Sequence, residues 1–220
     1  MVRNWWKIVC GILLFYVIIA GLVLEVPARF VLNETIRNLY FHVPMWFTMV
    51  ALFSVSFYGS LRFLRSGDLK YDRIAAESAF VGILFGILGL LTGSLWAKYT
   101  WGAFWTNDVK LNGSAITLLV FLAYAVLRGN TQEEQKRARL AAVYNIFAFV
   151  MMVVLIFLLP RMYDSLHPGN GGNPAFNQYD LDGNMRLVFY PAVLGFILLG
   201  LWIFTLKLRI RKLNDDITTH

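Results

Sequence analysis

Six apolar runs, separated by short polar segments, constrain this chain more than any other feature. All but the fourth are close to the length that crosses roughly 30 Å of hydrocarbon; the fourth is short, so that either 109–113 belong to it or it lies tilted. They fall at about 8–24, 44–64, 74–95, 114–127, 140–160 and 187–206. A soluble domain is about half apolar and a quarter charged. Here 58% of 220 residues are hydrophobic and 15% are charged. The reading is an all-α polytopic membrane protein, one domain over 1–220, with six transmembrane helices. A charged start before the first run has the form of a secretory signal. The run is long for one and no A-x-A site follows it, so an uncleaved first span is expected.

Lysine and arginine counts set the orientation. Fourteen lie on the side of the termini, in the N-terminal segment, loops two and four, and the tail. Six lie on the other side. The asymmetry predicts cytoplasmic termini, and it accounts for a net charge of +7 without a nucleic-acid partner. Cys10 is the single cysteine. That excludes an internal disulfide and clustered-cysteine zinc or iron–sulfur sites. The chain has no C-x-x-C-H, so it does not attach haem to itself in the c-type manner. G-x-S-x-G, P-loop and G-x-G-x-x-G patterns are also missing.

The stretch Trp96 to Asn112, W-A-K-Y-T-W-G-A-F-W-T-N-D-V-K-L-N, joins the third and fourth runs on the outer side. It holds three of the seven tryptophans, with Tyr99 and Phe104. Two readings stay open from chemistry alone. One is an interfacial aromatic belt. The other is a platform for a flat, mostly apolar ligand that carries anionic groups. In the third run Gly82, Gly86, Gly89 and Gly93 share one helical face, which predicts close packing against another helix rather than chemistry. Asn145 is the strongly polar residue of the fifth run and is expected to face other helices.

Of three histidines, His220 is in the tail, while His42 and His167 flank outer ends of spans. Ordinary hydrogen bonding explains one such residue. Two on the tryptophan side suit imidazole ligands of iron. Pro44, two residues after His42, is expected to begin a helix whose positive end favours the neutral ring. Glu25, Glu34, Asp108 and Asp164 show no spacing for another metal. Asn33-Glu34-Thr35 and Asn112-Gly113-Ser114 match the glycosylation sequon, a pattern common by chance.

W-G-A-F-W-T-N-D-V-K-L resembles the WWD motif of haem-handling proteins, close to W-G-x-W-W-x-W-D-x-R-L. Y-F-H-V-P-M-W resembles the first-histidine segment of the CcmC family of cytochrome c maturation, which reads like I-H-V-P-x-x-W. The likeness covers nearly the whole chain. It implies that His42 and His167 are axial ligands of one haem b, bound transiently at the outer, periplasmic face of the inner membrane. Trp101, Gly102, Trp105, Asp108 and Leu111 match the motif as cofactor-binding positions. Phe104 stands for a tryptophan and keeps a ring face; Asn107 replaces another and loses it; Lys110 stands for arginine. The resemblance further implies a delivery protein, not an enzyme, working with the haem chaperone CcmE, with CcmD and with the CcmA–CcmB ATPase. The cations available for propionates are Arg29, Arg37, Lys98, Lys110, Arg161 and Arg186.

Three alternatives remain. CcsA-type haem-lyase proteins share the WWD motif. A b-type electron-transfer cytochrome would need histidines within facing spans. An ABC permease subunit would need a cytoplasmic coupling segment, for which Arg128 to Arg139 is the candidate.

Overall fold

The computed structural model describes residues 4–27, 32–167 and 181–218. Seven α-helices are present among them: α1 (Trp5–Val23), α2 (Leu39–Ser66), α3 (Leu69–Trp101), α4 (Val109–Gly129), α5 (Glu134–Met152), α6 (Leu159–Met162) and α7 (Gly183–Thr218). A 3₁₀ segment, Asn33–Asn38, leads into α2, and a π-helical segment, Val153–Leu158, joins α5 to α6. No strand occurs among the described residues. Six helical stretches are long and apolar enough to cross a membrane. The chain is a multi-pass membrane protein.

Alternate ends of the bundle differ in chemistry. At one end Gly67, left-handed at φ +70°, closes α2, and Asp68 caps α3 through the Lys70 N–H. Gln135 of α5 donates to the Gly67 carbonyl there. At the other end Gly102, at φ +82°, stops α3, and Asp108 caps α4. The aromatic stretch is therefore split. Trp96 to Trp101 form the last turns of α3, 102–108 form the connection, and Val109 to Asn112 begin α4. The fourth span gains its missing length from 109–113.

The glycines of α3 mesh with α2 in an antiparallel register. A Cβ on Gly82 would meet Phe53 at 2.6 Å, on Gly86 Met49 at 2.8 Å, on Gly89 Trp46 at 2.9 Å, and on Gly93 His42 at 2.6 Å. Both series step by four, three and four. Close packing is as expected. Gly93 packs as closely as the others, and the side chain that takes its space is an imidazole. Phe53 also stacks on Phe121 of α4 at 3.5 Å, in the main core.

One expectation needs correction. Pro44 does not begin α2; the helix starts at Leu39, so His42 lies in its first turn. The 3₁₀ turn feeds the helix directly, and Pro44, sixth in α2, sits inside it and forgoes the hydrogen bond to the Tyr40 carbonyl. The fifth span lies in one helical stretch, Glu134–Met162, with a π-helical segment inside it. Pro160 has no N–H to donate, and the Leu159 N–H reaches the Val154 carbonyl in the i→i+5 pattern of a π-helix. The same pattern would pair Leu155 with Pro160, leaving the Leu155 carbonyl without that donor. It points at Gly113 of α4, where a Cβ would lie 2.5 Å from the oxygen. Gly113→Ala should therefore cost about 1–3 kcal/mol by overpacking. Gly11→Ala, where a Cβ meets nothing within 4 Å, serves as the control in a detergent melting experiment. Equal melting temperatures would refute this account of the α4–π contact.

Basic residues are not confined to loops. Arg128, in the last turn of α4, and Asp72, in the first turn of α3, form a buried bidentate pair at 2.6 and 2.8 Å. Glu77 of α3 holds Lys207 and Arg211 of α7 at 3.1 and 2.9 Å. Asn145 is fully buried and donates to the hydroxyls of Ser56 and Ser60 of α2, as its polarity within the span predicts.

Candidate haem site

The last turns of α3 pack against both candidate iron ligands, His42 of α2 and His167 beyond α6. His42 is only 8% exposed. Its ring meets Trp46 of α2 and Trp96 of α3 edge-on, with centroids 6.2 and 5.9 Å away. Trp46 lies four residues on from His42, hence on the same helical face. The Nδ1 of His42 is 3.1 Å from the Thr92 hydroxyl. Trp96 is itself fixed by donating from its indole to the Thr35 hydroxyl. His167 follows α6 and packs edge-on to Trp101 at 4.8 Å. Trp96 and Trp101 are five residues apart, about 7.5 Å along a helix axis.

Asp108 organises the second histidine. One carboxylate oxygen accepts from the N–H groups of Lys110 and Leu111, at 2.9 and 3.3 Å, and lies 3.0 Å from His167 Nδ1. The other accepts from the Ser165 hydroxyl and the Leu166 N–H, each at 2.8 Å. The Asp108 carboxyl is nearly inaccessible. Burial alone would raise its pKa, but the hydrogen bonds from His167, Leu166 and Ser165 outweigh it and hold the carboxyl well below the usual range. The stability this lends is full above the ordinary carboxylate pKa. It fades as pH falls toward the depressed folded value.

The other motif positions divide into exposed rings and supports. Phe104 is 58% exposed, with the Lys98 ammonium 5.7 Å from its ring centre. Trp105 is 43% exposed and its indole donates to Asn112 Oδ1 at 3.2 Å. Asn107 accepts from the Asn112 amide, so the residue that lacks a ring supports the partner of Trp105. Tyr99 is 71% exposed. Leu111 is buried behind the cap, and Gly102 supplies the turn whose carbonyl takes the Lys98 ammonium at 2.9 Å.

Several cations are already committed. Arg37 pairs with Glu34 and donates to the carbonyls of Gly21 and Leu24. Arg161 donates to the Phe157 carbonyl. Lys110 has a partner of its own. The Nε of Arg186 and the hydroxyl of Thr106 are buried with no hydrogen-bond partner. Arg29 and His220 lie outside the described residues, as does the glycine-rich segment after His167. Among the described residues no group of three or more His, Cys, Asp and Glu could hold a metal ion.

Sequence reading missed Thr92, Ser165 and the packing role of Trp46. Trp46 was within reach, since H-V-P-M-W places it one helical turn from His42. Nothing local marks Thr92, which meets His42 only through the α2–α3 pairing.

The residues present suit a haem. Two imidazoles each engage Nδ1, and Trp46, Trp96 and Trp101 pack edge-on against them. Such a bundle, with paired imidazoles at an aromatic end, defines a class of membrane-embedded haem-handling folds. The chain belongs to the CcmC family, described as heme exporter protein C, whose model matches residues 1–220. It is 25% identical over 195 residues to heme exporter protein C of Haemophilus influenzae, covering 86% of this chain and 76% of that one. It is 23% identical over 188 residues to the Escherichia coli K12 protein of that name, covering 83% and 73%. A putative cytochrome c biosynthesis ccmC-like mitochondrial protein of Marchantia polymorpha is 24% identical over 141 residues, 64% of this chain and 59% of the relative.

Proposed function

We propose that this protein binds haem b transiently at the tryptophan end of its bundle and delivers it to a haem chaperone during c-type cytochrome maturation. The observation that carries this reading is the paired support of the two imidazoles. Each has Nδ1 engaged by a neighbour, at 3.1 and 3.0 Å, beside exposed aromatic faces. Haem is cargo here, and the chain binds and presents it without supplying a nucleophile. His42 and His167 hold the iron. Phe104, Trp105 and Trp101 cover the macrocycle, and Arg186, whose buried Nε has no hydrogen-bond partner among the described residues, is the cation proposed for a propionate. Family membership supports CcmE as acceptor and CcmD with CcmA–CcmB as neighbours. Purified protein from cells making the maturation proteins should show the absorption bands of six-coordinate haem with two imidazoles. A preparation with no haem absorbance would end the proposal.

The site is proposed to face the periplasm from the inner membrane, with both termini cytoplasmic. Reporter fusions at Gly67, Asn130 and the C-terminus should register cytoplasm, and those near Thr106 and Gly171 the periplasm. A cytoplasmic signal at Thr106 would turn the site toward the wrong partners.

The tryptophans should respond differently to substitution. Among the described residues Trp101 makes a ring contact and no side-chain hydrogen bond, so Phe should largely preserve haem uptake while Ala lowers it, through apolar area worth about 25 cal/mol per Å². Trp105 also donates to Asn112, so Phe there should cost more than at 101. Haem titration of the purified variants checks this, and identical losses at both sites would argue against it.

A further inference from the structure

The two candidate ligands are held by different chemistry. Asp108 takes five donors, including His167 Nδ1. A carboxylate that accepts from every neighbour has no proton to give, so the proton between it and His167 sits on Nδ1. Thr92 has one hydroxyl proton, and its oxygen lies 2.8 Å from the Leu88 carbonyl and 3.1 Å from that of Gly89. A carbonyl can only accept. With the proton committed there, the hydroxyl oxygen accepts from His42 Nδ1. In the neutral ring, Nδ1–H leaves Nε2 with the free lone pair, the nitrogen an iron needs. The supports differ in charge: one is an anion and the other a neutral hydroxyl. A metal-bound imidazole that donates to an anion becomes the more basic ligand.

We propose that Thr92 and Asp108 are positioning residues that fix His42 and His167 as Nδ1–H tautomers and make the pair unequal, with His167 the stronger donor to iron. This rests on the haem reading above. Neither residue touches the iron. Gly93 completes the arrangement by leaving room for the His42 ring. Asp108 therefore acts through His167 rather than on the macrocycle itself, and its cap on α4 ties the ligand to the fold.

The test has a haem-free arm and a loaded arm. Histidine-selective ¹⁵N labelling of the full chain in detergent reads the tautomer of each ring without any haem. Wild type should show Nδ1–H for both, Thr92→Val should disturb His42 alone, and Thr92→Ser should restore it. Asp108→Asn keeps an effective helix cap while removing the charge, so folding survives. In the loaded protein Asp108→Asn should raise the haem reduction potential and weaken haem binding by roughly 10- to 100-fold. Thr92→Val should shift both less, and Thr92→Ser should match wild type. A His42 ring protonated on Nε2 in wild type would overturn the role of Thr92. An unchanged potential in Asp108→Asn would overturn the inequality. A wild-type protein that takes up no haem would overturn the function instead, and the ring-nitrogen spectra would then decide the two positioning roles alone.

Discussion

Replacing His42 or His167 with glycine is expected to lower haem occupancy by about 100-fold or more, since loss of a residue that merely supports a metal ligand already costs roughly 10- to 100-fold. The two variants should differ in how they recover. At position 42 glycine faces Gly93 across the α2–α3 contact. Two missing side chains leave a slot shaped for an imidazole between Trp46 and Trp96. Free imidazole should therefore restore the wild-type absorption spectrum in His42→Gly. His167 is on a connection with 27% of its side chain exposed, so added imidazole should enter His167→Gly with less selectivity and saturate later. His42→Gly carries an added helix cost of about 0.5–1 kcal/mol, which a melting curve separates from haem loss. Wild-type spectra in both variants would refute bis-histidine ligation.

The second large effect lies at the opposite end. Asp72 and Arg128 keep only 3% and 5% of their side chains exposed, and the guanidinium also lies 5.8 Å from the Tyr124 ring centre. Removing one partner strands a charge in a medium that cannot solvate it. Asp72→Ala or Arg128→Ala should each destabilise the protein by about 3–5 kcal/mol. Replacing both, as Asp72→Leu with Arg128→Met, should recover most of the loss, because the desolvation of two ions disappears along with their attraction. Thermal unfolding in detergent measures all three. Single variants within about 1 kcal/mol of wild type would mean that water reaches the pair.

What the sequence reveals about this molecule follows the range of each force. The six spans are legible because hydropathy is summed over some twenty neighbours, and the burial of Asn145 follows from one amide in an apolar run. The α2 start is not legible from Pro44, because the 3₁₀ turn before it starts the helix at Leu39 and carries it through the proline. Arg128 and Asp72 read as loop charges, since 56 residues separate the partners that justify their burial. The site divides likewise. His42, His167 and the motif aromatics announce themselves by residue type. Thr92 does not, because a hydroxyl one turn from a glycine stripe is ordinary until α2 is laid against α3. The inequality of the two histidines comes from contacts across 50 and 59 residues. No local pattern encodes those.

The length of α3 has a consequence for where cargo would travel. Its 33 residues rise about 50 Å, against roughly 30 Å of hydrocarbon. The helix therefore exceeds the hydrocarbon by about 20 Å, and with the site at the membrane surface, as proposed, the turns from Thr92 to Trp101 fall in that excess. A flat pigment seated there is neither dissolved in the bilayer nor immersed in water. It rests on a shelf at the boundary, with indole and phenyl faces on one side and lipid glycerol on the other. An acceptor protein that skims the membrane surface could take it sideways, so the hand-over would never force the porphyrin through bulk water, where it self-associates.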